Sequence, residues 1–152
     1  VDIQGDEPLL NPDHIDYVVA EHQKHPEWDI VLPSLPIDKP ETQHICKVIH
    51  DANFRILYLS RAVIPQPFKH RPDFYLKHLS IISFTSESLR HYSTLKPSSL
   101  ERVEGIELLR AIENGMVVGT VLLEGDSFSV DIKQDFDKAI ERMAIDEMRK
   151  QY

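Results

Sequence analysis

The stretch VDIQGDEPLL, residues 1–10, changes abruptly from an apolar run to a glycine followed by two acids and a proline. Gly5 allows the backbone to turn sharply or to approach a ligand closely. In open α/β sheets ligands bind beyond the carboxyl ends of strands, so we expect a buried strand that ends in a binding loop made of Gln4, Gly5, Asp6 and Glu7. An acid just past such a turn is well placed to hold a hard cation through oxygen. The alternative is that this loop, with Glu7, forms only a solvated turn.

Composition limits the class of protein. The 152 residues are 41% hydrophobic and 28% charged, which suits one packed domain and is too mixed for a disordered or collagen-like chain. The formal net charge of -8 argues against a nucleic-acid or membrane surface, although a local basic pocket for phosphate remains open. Cys46 has no second cysteine to pair with, and neither a signal peptide nor an apolar run of about 18 residues occurs. We predict a cytoplasmic protein with a single domain over residues 1–152.

The hydrophobic periodicity alternates between strand and helix patterns. Asn11 and Pro12 are a good helix start, and apolar residues then follow at helical spacing until the helix ends near His25. Apolar runs rich in β-branched and aromatic residues predict strands over residues 29–37, 44–50, 54–60, 76–84 and 116–124, and SVDI over 129–132 is expected to be a short extended piece. Further helices are predicted over residues 86–95, over 98–115, and from 133 to the end of the chain. Strands and helices in this order predict an α/β sheet in layers.

Two of the predicted helices carry specific signals. Ser98 and Glu101 form a capping box at the start of the helix over 98–115, and Gly115 stands at its expected end. The C-terminal helix has an apolar stripe that we expect to face the core, made of Phe136, Ile140, Met143 and Ala144.

Five motifs follow one another in a specific order. They are VDIQGDEPLL (1–10), YLSRAVIP (58–65), YLKHLSIISF (75–84), SSLERVEGIELLRAIENG (98–115) and SVDIKQDF (129–136). Over nearly the whole chain they resemble the 3-deoxy-manno-octulosonate cytidylyltransferases, also called CMP-Kdo synthetases, with QGDEP as the most specific run. The resemblance implies a Rossmann-like nucleotidyltransferase with a layered sheet and flanking helices. It also implies a homodimer, to which we expect residues 62–75 and the helix from 98 to contribute. Synthetases for sialic acids share the fold and are the second choice.

The reaction of the family, as the resemblance implies, is attack by the anomeric hydroxyl of a sugar acid on the α-phosphorus of CTP. Pyrophosphate leaves, and the CMP-sugar serves lipopolysaccharide or surface polysaccharide synthesis. Magnesium is the expected ion, because a divalent cation shields the phosphate oxygens and eases ionisation of the hydroxyl. Asp6 and Asp131 match the two metal carboxylates of the family and are expected to meet above the sheet. For Asp131 the alternative is a helix N-terminal acid favoured by the helix dipole.

Four further residues match family positions near the substrates. Arg61 can fork onto phosphate or carboxylate oxygens, or else form a surface salt bridge. Gln4 and His78 match residues that hold the sugar acid, although a histidine in an apolar run is often a hydrogen-bonded core residue. Glu107 shares a helical face with Leu100 and Val103 in the predicted helix, so it faces either a polar pocket, like the matched glutamate, or a wet edge.

The chain also departs from the family pattern. Ile82 stands where the family has a tyrosine near the sugar, and Leu108 stands where it has a glutamine. The segment around Asp131 keeps its acid but changes its turn. Loss of polar partners discriminates against a hydroxylated substrate, so the natural sugar need not be Kdo itself.

A further departure concerns the nucleotide site. No phosphate-binding segment of the form PAR-x-x-S-x-R-x-PGK occurs, and we therefore expect the chain to be the carboxyl-terminal part of a larger cytidylyltransferase domain. Three hypotheses remain: a cytidylyltransferase for Kdo or a close analogue, one for another sugar acid such as a sialic acid, and a catalytically silent relative that serves as a binding or assembly subunit.

Overall fold

The computed structural model describes residues 1–125, 128–130, 132–146 and 148. In these ranges the strands are β1 (Asp2–Ile3), β2 (Ile30–Val31), β3 (Ser34–Ile37), β4 (Lys47–His50), β5 (Ile56–Ser60), β6 (Tyr75–His78), β7 (Ile81–Phe84) and β8 (Val118–Gly119). The helices are α1 (Pro12–Lys24), α2 (Ser86–Thr94), α3 (Ser99–Glu104), α4 (Leu109–Glu113) and α5 (Lys133–Ile145). A membrane-spanning helix is absent from these described ranges.

The strands form two sheets of four strands each. The first sheet has the order β1-β7-β2-β8, in which β2 and β8 are parallel and β7 is antiparallel to both of its neighbours. The second sheet has the order β3-β6-β4-β5, and its pairs are antiparallel. The predicted mixture of strands and helices is therefore present, divided over two sheets.

Two predicted strands were wrong, because each is a pair of strands that belong to different sheets. Residues 29–37 divide into β2 and β3 around Pro33, which has no N–H to donate to a sheet ladder. Residues 76–84 divide into β6 and β7 around Leu79. The two crossings lie together, since the N–H of Leu79 donates to the carbonyl of Pro33 at 3.0 Å.

The predicted helix over 98–115 is also two helices. The capping box of Ser98 and Glu101 is confirmed, but α3 ends after Glu104 because Gly105 adopts the left-handed conformation with φ of 63°. The backbone becomes helical again in α4. This second helix ends at Glu113, close to the predicted end at Gly115. Glu107 therefore lies in the turn between α3 and α4 and does not share a helical face with residues of α3.

Smaller corrections concern the strand edges. The strand predicted over 116–124 is present only as β8, and in the segment 129–132, expected to be a short extended piece, Ile132 has an extended backbone outside any named strand while Asp131 lies outside the described residues. The strand at the start of the chain, predicted to be buried, is exposed, with Ile3 44% exposed, because β1 is an edge strand of the first sheet.

The helix α1 is confirmed, with the side chain of Asn11 accepting from the N–H of Asp13 at 3.0 Å.

The main core lies between the strands and the α3–α4 pair, and it includes Ile30, Val48, Leu59, Leu109 and Val118. The stripe predicted on the C-terminal helix does not belong to it. Phe136 is 53% exposed and Ile140 is 55% exposed, while Ala139 is the residue of α5 that is buried. Met143 and Ala144 are exposed as well, so the expectation of a core-facing stripe was wrong.

Candidate functional site

A single cleft with a volume of about 450 Å³ collects most of the predicted site residues. Five of them line it, namely Gln4, Asp6, Arg61, His78 and Glu107. They come from the loop after β1, the end of β5, the end of β6 and the turn between α3 and α4. Gly5 lies between two lining residues without lining the cleft itself, and Asp131 lies outside the described residues.

Two carboxylates of the QGDEP loop have buried oxygens without a hydrogen-bond partner in the described part of the chain. Among the described residues, Oδ1 of Asp6 and Oε2 of Glu7 accept no hydrogen bond. Glu7 is only 7% exposed, and its other oxygen, Oε1, accepts from the N–H of Ser80 and the hydroxyl of Ser129, each at 3.3 Å. A buried carboxylate oxygen without a partner is costly, so these two oxygens are suited to a cation or a ligand donor. The sequence placed Glu7 in the binding loop but assigned it no role of its own.

The neighbourhood of Asp131 reaches this loop. The N–H of Val130 donates to the carbonyl of Asp6 at 2.8 Å. Together with the contact between Ser129 and Glu7, this bond places the two distant segments side by side. The described residues contain no group of three or more histidine, cysteine or acidic side chains arranged for a metal.

His78 presents a defined tautomer to the cleft. Its Nδ1 lies 3.0 Å from the carbonyl of Leu79, and because a carbonyl can only accept, Nδ1 carries the proton. Burial lowers the pKa of His78, which outweighs the opposite effect of the Leu79 carbonyl and keeps the ring neutral. Nε2 is then an acceptor for a ligand hydroxyl.

The guanidinium of Arg61 donates hydrogen bonds to backbone carbonyls. Its Nε donates to Glu104 at 2.9 Å and its Nη2 to Gly105 at 3.2 Å. Its Nη1 donates to Gln43 at 3.2 Å and to His44 at 3.3 Å. A guanidinium has five N–H groups and the described residues accept from four of them, so the fifth is available to a ligand and a bidentate fork requires release of a carbonyl. The predicted alternative, a surface salt bridge, is not what the side chain forms with the described residues.

Glu104 supports the backbone at the end of β5, a role that the sequence did not indicate. Its carboxylate accepts from the hydroxyl of Ser60 at 2.7 Å, the N–H of Arg61 at 2.9 Å and the hydroxyl of Tyr58 at 3.3 Å. Burial opposes ionisation, but these hydrogen bonds hold the pKa of Glu104 below its usual value. The carboxylate therefore fixes the strand end from which Arg61 projects.

Lys47 was also missed. Its side chain is fully buried, and its ammonium donates to the carbonyls of Thr42 at 2.8 Å, Ile45 at 2.7 Å and Arg61 at 2.7 Å. Burial lowers the pKa of this lysine because the charged form loses its water.

One part of the cleft is apolar. The two residues that depart from the family pattern, Ile82 and Leu108, both line it and are 8% and 6% exposed. Leu32, Phe84 and Ile106 line the cleft as well. The site therefore combines charged and polar groups with a hydrocarbon surface that cannot bond to a hydroxyl.

Comparisons with known proteins define the class. The family model described as cytidylyltransferase matches residues 1–124. A 3-deoxy-manno-octulosonate cytidylyltransferase of Rickettsia akari (strain Hartford) is 35% identical over 142 residues, which are 92% of this chain and 56% of that protein. One of Leptospira interrogans (serogroup Icterohaemorrhagiae serovar Lai) is 38% identical over 144 residues, which are 93% of this chain and 58% of that protein.

A solved structure is similar as well. It is described as CMP:2-keto-3-deoxy-manno-octonic acid synthetase complexed with CTP, and it matches with a TM-score of 0.86 at 27% identity. The match covers 93% of this chain and 60% of that chain. The α/β nucleotidyltransferase fold class and the resemblance to CMP-Kdo synthetases are thereby confirmed.

This chain belongs to the cytidylyltransferase family. Within that family, the relatives named here are 3-deoxy-manno-octulosonate cytidylyltransferases, and the chain spans somewhat more than half of their length.

Proposed function

We propose that this protein transfers CMP from CTP to the anomeric hydroxyl of a 3-deoxy-2-ulosonic acid, Kdo or a close analogue, for lipopolysaccharide or surface polysaccharide synthesis. A bond forms between the anomeric oxygen and the α-phosphorus as the bond from that phosphorus to the β-phosphate bridge breaks. Pyrophosphate leaves, and the hydroxyl proton is released. The observation that supports this most is the convergence of five predicted residues, from four separate segments, on one cleft.

The residues of the chain supply binding and orientation. Gln4 and the neutral ring of His78 offer hydrogen bonds to the hydroxyls of a sugar acid. The carboxylate of Glu107, in the turn between α3 and α4, accepts hydrogen bonds from these hydroxyls. Arg61 supplies positive charge and one N–H for an anionic group. Fixing the sugar hydroxyl against the phosphate accounts for a large part of such catalysis, because little covalent chemistry is left to the protein.

Magnesium is part of the proposal. The buried oxygens of Asp6 and Glu7 fit a hard cation, since carboxylate oxygen is its preferred ligand and these oxygens have no other partner among the described residues. Asp131 would complete the set, supported by the bond between Val130 and Asp6. When bound, the ion would neutralise phosphate charge and lower the pKa of the attacking hydroxyl.

The experiment is a pyrophosphate-release assay on the full-length gene product that contains this chain, with CTP, magnesium and a panel of sugar acids. We expect Asp6→Asn and Asp131→Ala to lower kcat/KM by at least about 100-fold, because each removes a metal carboxylate. Asp16→Asn, at an exposed position of α1, is the matched control and should retain full activity.

Two outcomes would contradict the proposal. Full activity in Asp6→Asn would remove the metal assignment. A folded protein that is silent with every sugar acid would favour the alternative of a binding or assembly subunit, and preference for a nine-carbon acid would favour a sialic-type synthetase.

A homodimer is proposed as well. Phe68 is 94% exposed within the segment 62–75, and Val103 is 82% exposed on α3, the two regions expected at the contact. Exposed large apolar side chains commonly mark interaction surfaces. Sedimentation velocity should show a dimer that Phe68→Ser weakens, and a monomeric wild-type protein would refute the expectation. A cytoplasmic location stays a prediction.

A further inference from the structure

Lys47 is a buried cation whose bonds all go to the backbone. At 0% exposure its ammonium makes no salt bridge with any carboxylate of the described residues. Its three N–H groups are matched by three carbonyls at 2.7–2.8 Å, those of Thr42, Ile45 and Arg61. An uncompensated buried charge is expensive to keep, so a lysine at this position requires an explanation beyond packing.

The three carbonyls belong to the wall of the cleft. Two of them lie in the loop 42–46, whose residues His44, Ile45 and Cys46 line the cleft. The third is that of Arg61, whose own guanidinium binds the carbonyls of Gln43 and His44 in the same loop. The two cations therefore hold one loop from two directions, and Lys47 also holds the backbone from which the second cation projects.

We propose that Lys47 is a positioning residue for the sugar-acid site, which fixes the loop 42–46 and the backbone of Arg61 so that the remaining guanidinium N–H points at an anionic substrate. This inference rests on the proposed function. A methionine side chain would leave the carbonyls of Thr42, Ile45 and Arg61 without the donor that Lys47 gives them, whereas an ammonium supplies three N–H groups in one compact group.

The test separates positioning from general stability. In the full-length gene product, we expect Lys47→Met to raise KM for the sugar acid by at least about tenfold, because small displacements of a binding group are costly. KM for CTP should change by less than about twofold, since the proposal places the sugar acid, and not CTP, against this loop. Lys96→Met, at an exposed position shortly after α2, is the matched control.

A double variant tests whether Lys47 acts through Arg61. If both cations hold one loop, Lys47→Met combined with Arg61→Met should cost little more than Arg61→Met alone, whereas independent effects would multiply. An equal rise of KM for the sugar acid and for CTP, or a lower Tm with unchanged kinetics, would mean that Lys47 serves stability alone. Either result would overturn the inference.

A measurement on the wild-type protein covers the case in which Lys47→Met does not fold. With ¹⁵N-labelled lysine, the ammonium of Lys47 should give a slowly exchanging NMR signal, assigned by its loss in Lys47→Arg. We expect the signal to shift on addition of Kdo and to stay in place with CTP alone. A signal that Kdo leaves unchanged while the enzyme turns Kdo over would refute the inference alone. Absence of turnover with every sugar acid would remove the proposed function and this inference with it.

Discussion

The apolar part of the cleft predicts an unusual response to the hydroxyls of the substrate. Ile82 and Leu108 line the cleft and offer no hydrogen-bond partner. A hydroxyl desolvated against them loses its bond to water, which costs about 1–3 kcal/mol, or about 5- to 150-fold in kcat/KM. We therefore expect one analogue of Kdo that lacks a single hydroxyl to be used better than Kdo itself by a factor in this range. A site that bonds every hydroxyl would instead reject each such analogue by orders of magnitude.

The perturbation is Ile82→Tyr, alone and with Leu108→Gln. Each change adds a polar group at the wall, and a neutral hydrogen bond contributes about 1 kcal/mol, so we expect kcat/KM for Kdo to rise about fivefold per substitution. The preference for the deoxy analogue should fall by the same factor. The assay is pyrophosphate release by the full-length gene product with Kdo and with analogues that each lack one hydroxyl.

Control variants distinguish the effect of a polar group inside the cleft from other effects of the substitution. Leu57→Tyr, at a 47% exposed position of β5, adds the same side chain outside the cleft and should leave the preference unchanged. Thermal unfolding of each variant identifies losses of stability, which a polar group at a nearly buried position can cause. A wild-type enzyme that prefers Kdo to every deoxy analogue by more than about 100-fold would refute the reasoning.

Two further predictions concern stability. Gly119→Ala should lower the free energy of unfolding by about 1–3 kcal/mol, because the new Cβ would lie 2.1 Å from the buried ring of Trp28, while Gly5→Ala, with no atom within 4 Å, should leave Tm unchanged. Urea unfolding at several pH values should show the free energy of unfolding falling below about pH 4.5. The hydrogen bonds from Arg110 hold the pKa of Glu101 in the folded protein below its ordinary value of 4.5. The stability that ionised Glu101 contributes is therefore present above pH 4.5 and is lost as the pH falls through the lower pKa of the folded state. Glu101→Gln should flatten this dependence, and an unchanged slope would contradict the assignment.

Local signals predicted the parts of the fold that local contacts determine. The helix α1 begins at Pro12 because the side chain of Asn11 caps it, and both residues are adjacent in sequence. Gly105, where the helix breaks, is a possible helix end in the sequence. The apolar pattern continues past this glycine, however, and it favoured a single helix. The stripe on α5 was predicted as an apolar face, yet periodicity alone does not identify what covers such a face.

The residues missed at the site share a different cause. Lys47 stands in a strand pattern where a lysine usually faces water, and its burial depends on a carbonyl 14 residues away, that of Arg61. Glu104 looks like a solvated helix residue, and its three donors come from a strand more than 40 residues earlier. Long-range pairing creates both environments, so no local pattern could have predicted them.

The same long-range feature explains the cleft itself. The acids of the QGDEP loop follow a strand of the first sheet, whereas Lys47 lies in β4 of the second sheet and Arg61 directly follows β5 of that sheet. The chain crosses between these sheets at Pro33 and at Leu79, and His78 stands directly before the second crossing. Asp6, Glu7 and Arg61 can therefore line one cleft because two apolar runs that look like single strands change sheets. A substitution that moved either crossing would separate the proposed cation site from the proposed sugar-acid wall without touching a residue of either.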